Sequence, residues 1–333
     1  MSELMKVLNS VSVVSTATTH EPVMTTYISP PKQQQDIYQL STSGRRSPSE
    51  YIKQRKLHAK KESKVSVPSD SPVLTNNEKN AAASLDSIDC QLGEVKSLPD
   101  SKQLKQIDQA IEQVIDAHMS TCNYTTEKYT AGKKKYEEMG RLESVGKVVS
   151  NSWDMMKNGV TPDKMWAHMT QQMVPVMTRV ITFCKKIPGF NALSQEDQIQ
   201  LIKQGSFTTV LARFARLFDA KAMFLPNMEV KLPRSLVNCM PMGSFFEEQF
   251  QFAESFNPLG LEDGELGLLT AVMIMNPERK HLEDIDAVSR CQNLFLKSLY
   301  QYMKRLRPDN YNEVFHAALN TLPQMEKVNT MHT

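Results

Sequence analysis

The chain has 333 residues, 40% of them apolar and 23% charged, with a formal net charge of +2. A balance this even excludes a global field that gathers nucleic acid or membrane. The longest near-continuous apolar run, Leu266–Met275, is far short of the roughly 20 residues of a membrane helix.

The apolar content is unevenly spread. All 13 Phe lie at or after Phe183, and residues 1–100 hold neither Phe nor Trp. That first stretch is rich in Ser, Thr, Pro and Gln, so residues 1–102 read as a disordered extension with little to bury. Met1 leads into Ser2 and Glu3 rather than a basic and then apolar signal segment, so nothing argues for secretion. A basic island spans 45–64, with Arg45, Arg46, Lys53, Arg55, Lys56, Lys60, Lys61 and Lys64 against Glu50 and Glu62. It reads equally as a nuclear import signal or as a solvated charged stretch. The five Cys stand alone at 90, 122, 184, 239 and 291, which excludes a C-x-x-C zinc site and fits reduced thiols inside a cell. No glycine-rich phosphate loop occurs.

Helical periodicity begins near 103, with Leu104, Ile107, Ile111, Val114, Ile115 and His118 on one face. The polar stretch 129–158 reads as a loop with at most a short helix. A helix then starts at Thr161-Pro162-Asp163 and runs to about Lys186, where Ile187-Pro188-Gly189 stops it. Ser194 caps the next start, with Asp197 three residues on as a weak capping box. Ile199, Ile202, Phe207, Val210, Leu211, Phe214 and Leu217 continue it as one long helix, or two, ending at Asp219. Short strands are predicted at 222–225 and 229–232, around Pro226-Asn227-Met228. Four more helices are predicted at about 244–256, 262–276, 281–305 and 309–328. The pattern gives an all-α domain of about ten helices with one small β-hairpin over 103–333.

Phe183-Cys184-Lys185-Lys186-Ile187-Pro188-Gly189-Phe190, followed after three residues by Ser194-Gln195-Glu196-Asp197-Gln198-Ile199-Gln200-Leu201-Ile202-Lys203, resembles the signature of nuclear-receptor ligand-binding domains. Three further pieces resemble the Rev-erb and ecdysone-induced orphan receptor group. They are His118-Met119-Ser120-Thr121-Cys122-Asn123-Tyr124, then Arg213-Phe214-Ala215-Arg216-Leu217-Phe218-Asp219, and the tail from Leu322 to Thr333. The resemblance implies a three-layer antiparallel helical sandwich. The family's cysteine-rich DNA-binding domain has no counterpart here, so no zinc and no direct sequence-specific DNA binding are expected. The family's activation helix would lie beyond Thr333 and is expected to be missing, which implies a repressor, as in Rev-erb receptors.

The resemblance also implies where the sites lie. A coregulator groove would be formed by Lys185, Lys203, Val180, Gln198, Ile199 and Ile202, with Lys185 clamping the negative C-terminal end of a docked helix. A missing activation helix leaves this groove open to longer corepressor helices, while coactivator helices are the other class of partner. Read without the resemblance, Lys185 and Lys203 are ordinary exposed helix residues. An internal ligand pocket would involve Trp166, Met169, Met173, Phe207, Leu211 and Phe315, all of which also fit a plain core. Haem is a candidate cofactor, since the group ligates haem through a last-helix His and His332 falls at that place. The group's second ligand, a Cys, has no counterpart in 149–164, and His168, Cys184, Met155 or Met156 would be substitutes. Dimerisation, with a second copy or another receptor, would use Val288–Met303.

No catalytic signature occurs, and the His118 and Cys122 pair reads as packing rather than a dyad, so no enzyme is expected. The expected role is transcriptional regulation in the nucleus, and in the cytoplasm as a secondary location. The alternative is a helical scaffold for protein partners with no ligand pocket.

Overall fold

The computed structural model describes residues 95–96, 99–139, 162–226, 229–238 and 243–326, and for 139 and 162–172 the backbone alone. The basic island, Met155, Met156 and His332 lie outside the described residues. Asp100 starts the first helix, its carboxylate accepting the backbone N–H groups of Lys102 and Gln103 at 2.9 and 2.7 Å. Helix α1 (Ser101–Thr121) buries Ile107, Ala110, Ile111, Val114, Ala117, His118 and Thr121, the single stripe expected of its 3–4 spacing.

Helix α2 (Thr126–Met139) takes the place of the loop, with at most a short helix, expected from 129, while 140–158 lie outside the described residues. Its sequence is dominated by Lys, Glu and Thr, so no aliphatic period marks it. Two aromatic positions a helical turn or two apart dock it instead: Tyr129 and Tyr136 meet Phe224 edge-on at 5.6 and 5.5 Å. Its outer side carries the exposed pairs Lys133–Glu137 and Lys134–Glu138, each worth a few tenths of a kcal/mol (about 0.3–0.5).

Helix α3 (Pro162–Lys186) and helix α4 (Gln195–Phe214) are joined by a 3-10 turn at Phe190–Ala192. A second 3-10 turn, Ala215–Leu217, ends α4 before the strands. Strands β1 (Ala222–Leu225) and β2 (Val230–Pro233) pair antiparallel, with Ala222 opposite Pro233 and Leu225 opposite Val230. The second strand starts one residue later than expected. Glu229 has φ 54°, so it belongs to the turn and not to the ladder.

After the short helix α5 (Arg234–Asn238) come α6 (Gly243–Phe256), α7 (Asp263–Ile274), α8 (Ile285–Leu306) and α9 (Tyr311–Asn320). Helix α8 begins later than the expected 281 because Asp284 caps it, accepting from the Ala287 N–H at 2.8 Å. Residues 322–326 add one further helical turn.

Every residue of α7 is buried. It packs against α1, α4 and α8, while α3 packs on α4 and α1. A helix apolar on all sides is stable only when covered on all sides, so α7 is the middle of the sandwich. The two charged residues at its start are enclosed with their partners. Arg216 meets Asp263 at 2.8 Å, and Arg307 pairs with Glu265 while also donating to the Gly260 carbonyl at 3.0 Å. The fold is mostly helical with one two-stranded sheet. This is the architecture that the periodicity and the resemblance implied.

Candidate functional site: the surface around the α3–α4 junction

The Pro188-Gly189-Phe190 turn has a physical cause. Gly189 holds φ 84°, a left-handed conformation that costs little only for glycine. A Cβ there would lie 2.5 Å from the Cys291 Sγ of α8. The turn thus buries Phe190 fully and sets Gly189 against Cys291 of α8. The Asn191 side chain donates to the Lys185 carbonyl at 2.7 Å, satisfying one open carbonyl at the end of α3. Ser194 then caps α4, its hydroxyl accepting from the Asp197 N–H at 3.1 Å.

Asp197 does more than the weak capping box anticipated. It is wholly buried, and its carboxylate accepts the backbone N–H groups of Glu283 and Asp284 at 2.6 and 3.1 Å. Two turns further along, the Gln204 side chain donates to the Lys280 carbonyl at 2.9 Å and accepts its N–H at 3.0 Å. The two contacts fasten the first half of α4 to the 276–284 loop. Nothing local in the sequence announces them, because their partners lie more than 70 residues away.

With α4 held this way, its residues sort into two faces. Asp197, Leu201, Gly205, Thr208, Thr209 and Ala212 turn inward and are buried. Gln198, Ile199, Ile202 and Lys203 are half-buried on the other side. Ile199 and Ile202 are therefore apolar side chains, one turn apart, left partly open to solvent. Gln198 is steadied by donating to the Leu193 carbonyl at 2.9 Å. Lys185 is exposed at the last turn of α3, and its neighbour Lys186 donates to the Ser120 hydroxyl at 2.9 Å. Val180 is different from the other five expected groove residues. It is completely buried, so it supports the surface from beneath and offers no area to a partner.

Of the six residues expected to line a ligand pocket, four have described side chains. Trp166 and Met169 lie on α3, with side chains outside the described set. Met173 is half-buried. Phe207 is half-buried against Phe245, the rings 5.8 Å apart. Leu211 is buried in α4, whereas Phe315 is enclosed by its own neighbours, edge-on to Tyr300 at 5.2 Å.

Two buried polar groups lie near the α1–α4 contact: Arg213, whose burial the periodicity did not indicate, and His118, which it placed on the inner face of α1. Arg213 is 4% exposed, sits over the Phe183 ring at 4.8 Å and donates a long bond, 3.4 Å, to the Thr121 hydroxyl. Burial lowers its pKa from the usual arginine value. His118 is fully enclosed, with a hydrogen-bond partner on neither ring nitrogen. Burial first, then the charges of Arg213, Arg216 and Lys128, hold it well below the ordinary histidine range, so the ring is neutral. Cys122, also buried, follows it by one turn. An enclosed pair without substrate access packs the core, as expected for these residues.

Of the substitutes for a second haem ligand, Cys184 has a described side chain. It is fully buried, and burial pushes its thiol up to about 12, so it stays protonated and supplies no thiolate. Cys184 therefore does not fit that role. Among the described residues no group of three or more His, Cys, Asp or Glu is arranged to hold a metal ion. No described helix is long and apolar enough to cross a membrane.

Comparison with known proteins agrees with this geometry. The family profile for the ligand-binding domain of nuclear hormone receptors matches residues 161–333. Nuclear receptor subfamily 1 group D member 2 of Rattus norvegicus is 32% identical over 183 residues, 54% of this chain and 31% of that protein. Nuclear hormone receptor E75 of Metapenaeus ensis is 29% identical over 230 residues, 66% of this chain and 37% of that protein. Ecdysone-induced protein 75B, isoforms C/D, of Drosophila melanogaster is 26% identical over 222 residues, 66% of this chain and 18% of that protein. The chain spans well under half the length of these relatives. They fall in the same Rev-erb and ecdysone-induced group that the sequence motifs resemble. With the signature turn, the buried central helix and the profile match in agreement, the chain belongs to the nuclear hormone receptor ligand-binding domain family.

Proposed function

We propose that this chain is a non-catalytic transcriptional regulator that docks coregulator helices on the surface between the end of α3 and the start of α4. One observation carries the reading: Ile199 and Ile202 are left half-open on the outer side of α4, while Lys185 stands exposed at the end of α3. An amphipathic helix presents apolar side chains at three- and four-residue steps, which suits a two-isoleucine floor. Its C-terminal carbonyls carry about half a negative charge, which suits a lysine at the rim. The site of action is the nucleus, in keeping with family membership. The repressor direction rests on the Rev-erb resemblance, as does haem through His332.

The test is a fluorescently labelled corepressor helix titrated with the full chain. Binding should weaken about 2- to 5-fold in Lys185→Ala, the range of an exposed charge at a helix end (about 0.3–1 kcal/mol). Unchanged affinity would remove the groove. A coactivator helix run alongside decides the direction, since tighter binding of that peptide overturns repression. Haem added to wild type and to His332→Ala tests the cofactor separately: identical absorption spectra exclude His332 as a ligand.

A further inference from the structure

A cleft of about 400 Å³ opens between the start of α2, the end of α4 and the turn from α6 into α7. It lies at the far end of α4 from Ile199 and Ile202. None of the six residues expected to line an internal pocket takes part in it. Its volume falls in the range of small-molecule sites, about 300–1,000 Å³. Phe218, Phe256, Leu261 and Leu266 give it apolar walls.

The charged wall groups are already matched. Arg216 is neutralised by Asp263 at 2.8 Å and Asp219 by Lys231 at 2.8 Å. An ionised ligand would find no unspent counter-charge and would be desolvated for nothing. Asn257, also in the wall, uses both amide protons on the Ala215 and Phe218 carbonyls, at 2.9 Å each. Two carbonyl partners fix which end of that amide is nitrogen, so its Oδ1 is the end left to accept a bond. Tyr129 adds an aromatic ring at the rim of the cleft, and burial, with the Asp219 carboxylate, keeps its hydroxyl protonated.

We propose that this cleft is a second ligand site, separate from the coregulator groove, for an uncharged aromatic small molecule whose hydroxyl donates to Asn257. The apolar walls take the ring system, and Asn257 selects a hydrogen-bond donor. With Arg216 and Asp219, the charged residues among the described wall residues, already paired, carboxylate and ammonium ligands are disfavoured.

The test uses 4-phenylphenol as the probe on the full chain, followed by saturation-transfer NMR and calorimetry. One saturable site is expected, with 4-biphenylcarboxylate binding at least tenfold more weakly. Leu261→Trp should fill the cleft and reduce phenol affinity at least tenfold, while Phe207→Trp leaves it unchanged. Thr126→Phe, placed at the exposed mouth, should repeat the loss without touching the core. No saturable binding to wild type overturns the proposal. So does equal binding by both cleft variants, equal binding of the carboxylate, or loss in Phe207→Trp alone, which would put the probe elsewhere. None of these outcomes bears on the Lys185 titration, so the groove and the cleft stand or fall separately.

Discussion

Asp197, buried in the first turn of α4, accepts the backbone N–H of Glu283 at 2.6 Å across 86 positions of sequence. The same carboxylate takes the Asp284 N–H and so holds the residue that caps α8. One side chain thereby ties the first turn of α4 to the start of α8. It also sets the rotation of α4, and with it which side Ile199 and Ile202 present.

Asp197→Ala should leave two part-buried backbone N–H groups without their carboxylate partner. A hydrogen bond to a charged group is worth about 1.5–3 kcal/mol, and water can reach exposed Glu283 and Asp284, so a loss of about 1–3 kcal/mol is expected in urea unfolding at pH 7. Peptide affinity at the groove should fall with it. A change under about 0.5 kcal/mol would mean that water replaces the carboxylate and that the contact is incidental.

His118 makes stability depend on pH. Its folded-state pKa lies well below 6.5, the unfolded value. As pH falls through 6.5, the unfolded chain takes up a proton that the folded chain refuses. Stability should therefore drop below pH 6.5 by up to about 1.4 kcal/mol per pH unit. His118→Leu removes both unpartnered nitrogens and should flatten the profile between pH 6.5 and 5.5, with stability at pH 7 unchanged or higher. A variant profile parallel to wild type would show that other groups carry the acid limb.

Gly189→Ala should cost about 1–3 kcal/mol from its left-handed backbone, and more from the Cys291 sulfur that a Cβ would meet at 2.5 Å. The two causes separate in a double-mutant cycle. Cys291→Ala in the Gly189→Ala background should restore part of the loss and leave the backbone share. Full additivity of the two substitutions would rule out the steric contact.

Arg279 forks onto Glu326 with bonds of 2.8 and 2.5 Å and ties the helical turn at 322–326 to the loop after α7. From the other side, the Ser255 hydroxyl donates to Gln324 at 3.1 Å. Arg279→Ala should raise amide exchange at 322–326 while leaving α7 protected. Equal exchange in that segment would show that Met325, which is fully buried, anchors it without help.

The surface proposed as a groove was half legible in sequence. Lys185, Lys203, Gln198, Ile199 and Ile202 were placed by the match to the signature, and their helices by period and caps. Val180 belongs to the same pattern, yet it proved to be interior. A period of 3.6 reports that a residue sits on the apolar side of its helix, but not whether another helix covers that side. The haem and pocket expectations rested on the resemblance, and residues such as His332 lie outside the described set.

The helical class, the stop at Ile187-Pro188-Gly189, the cap at Ser194 and the family were legible in the residues alone. Each depends on residues within a few positions of one another, where backbone geometry and side-chain period act. Tertiary structure decided the rest: that α2 is a helix held by two tyrosines, that β2 begins after Glu229, that Asp197 is a staple and that a cleft opens beside Asn257. Those features come from pairs tens of residues apart, such as Tyr129 with Phe224 or Asp197 with Glu283. No local pattern encodes such a pair, because the energy of each contact exists only once the chain has brought both partners out of water together.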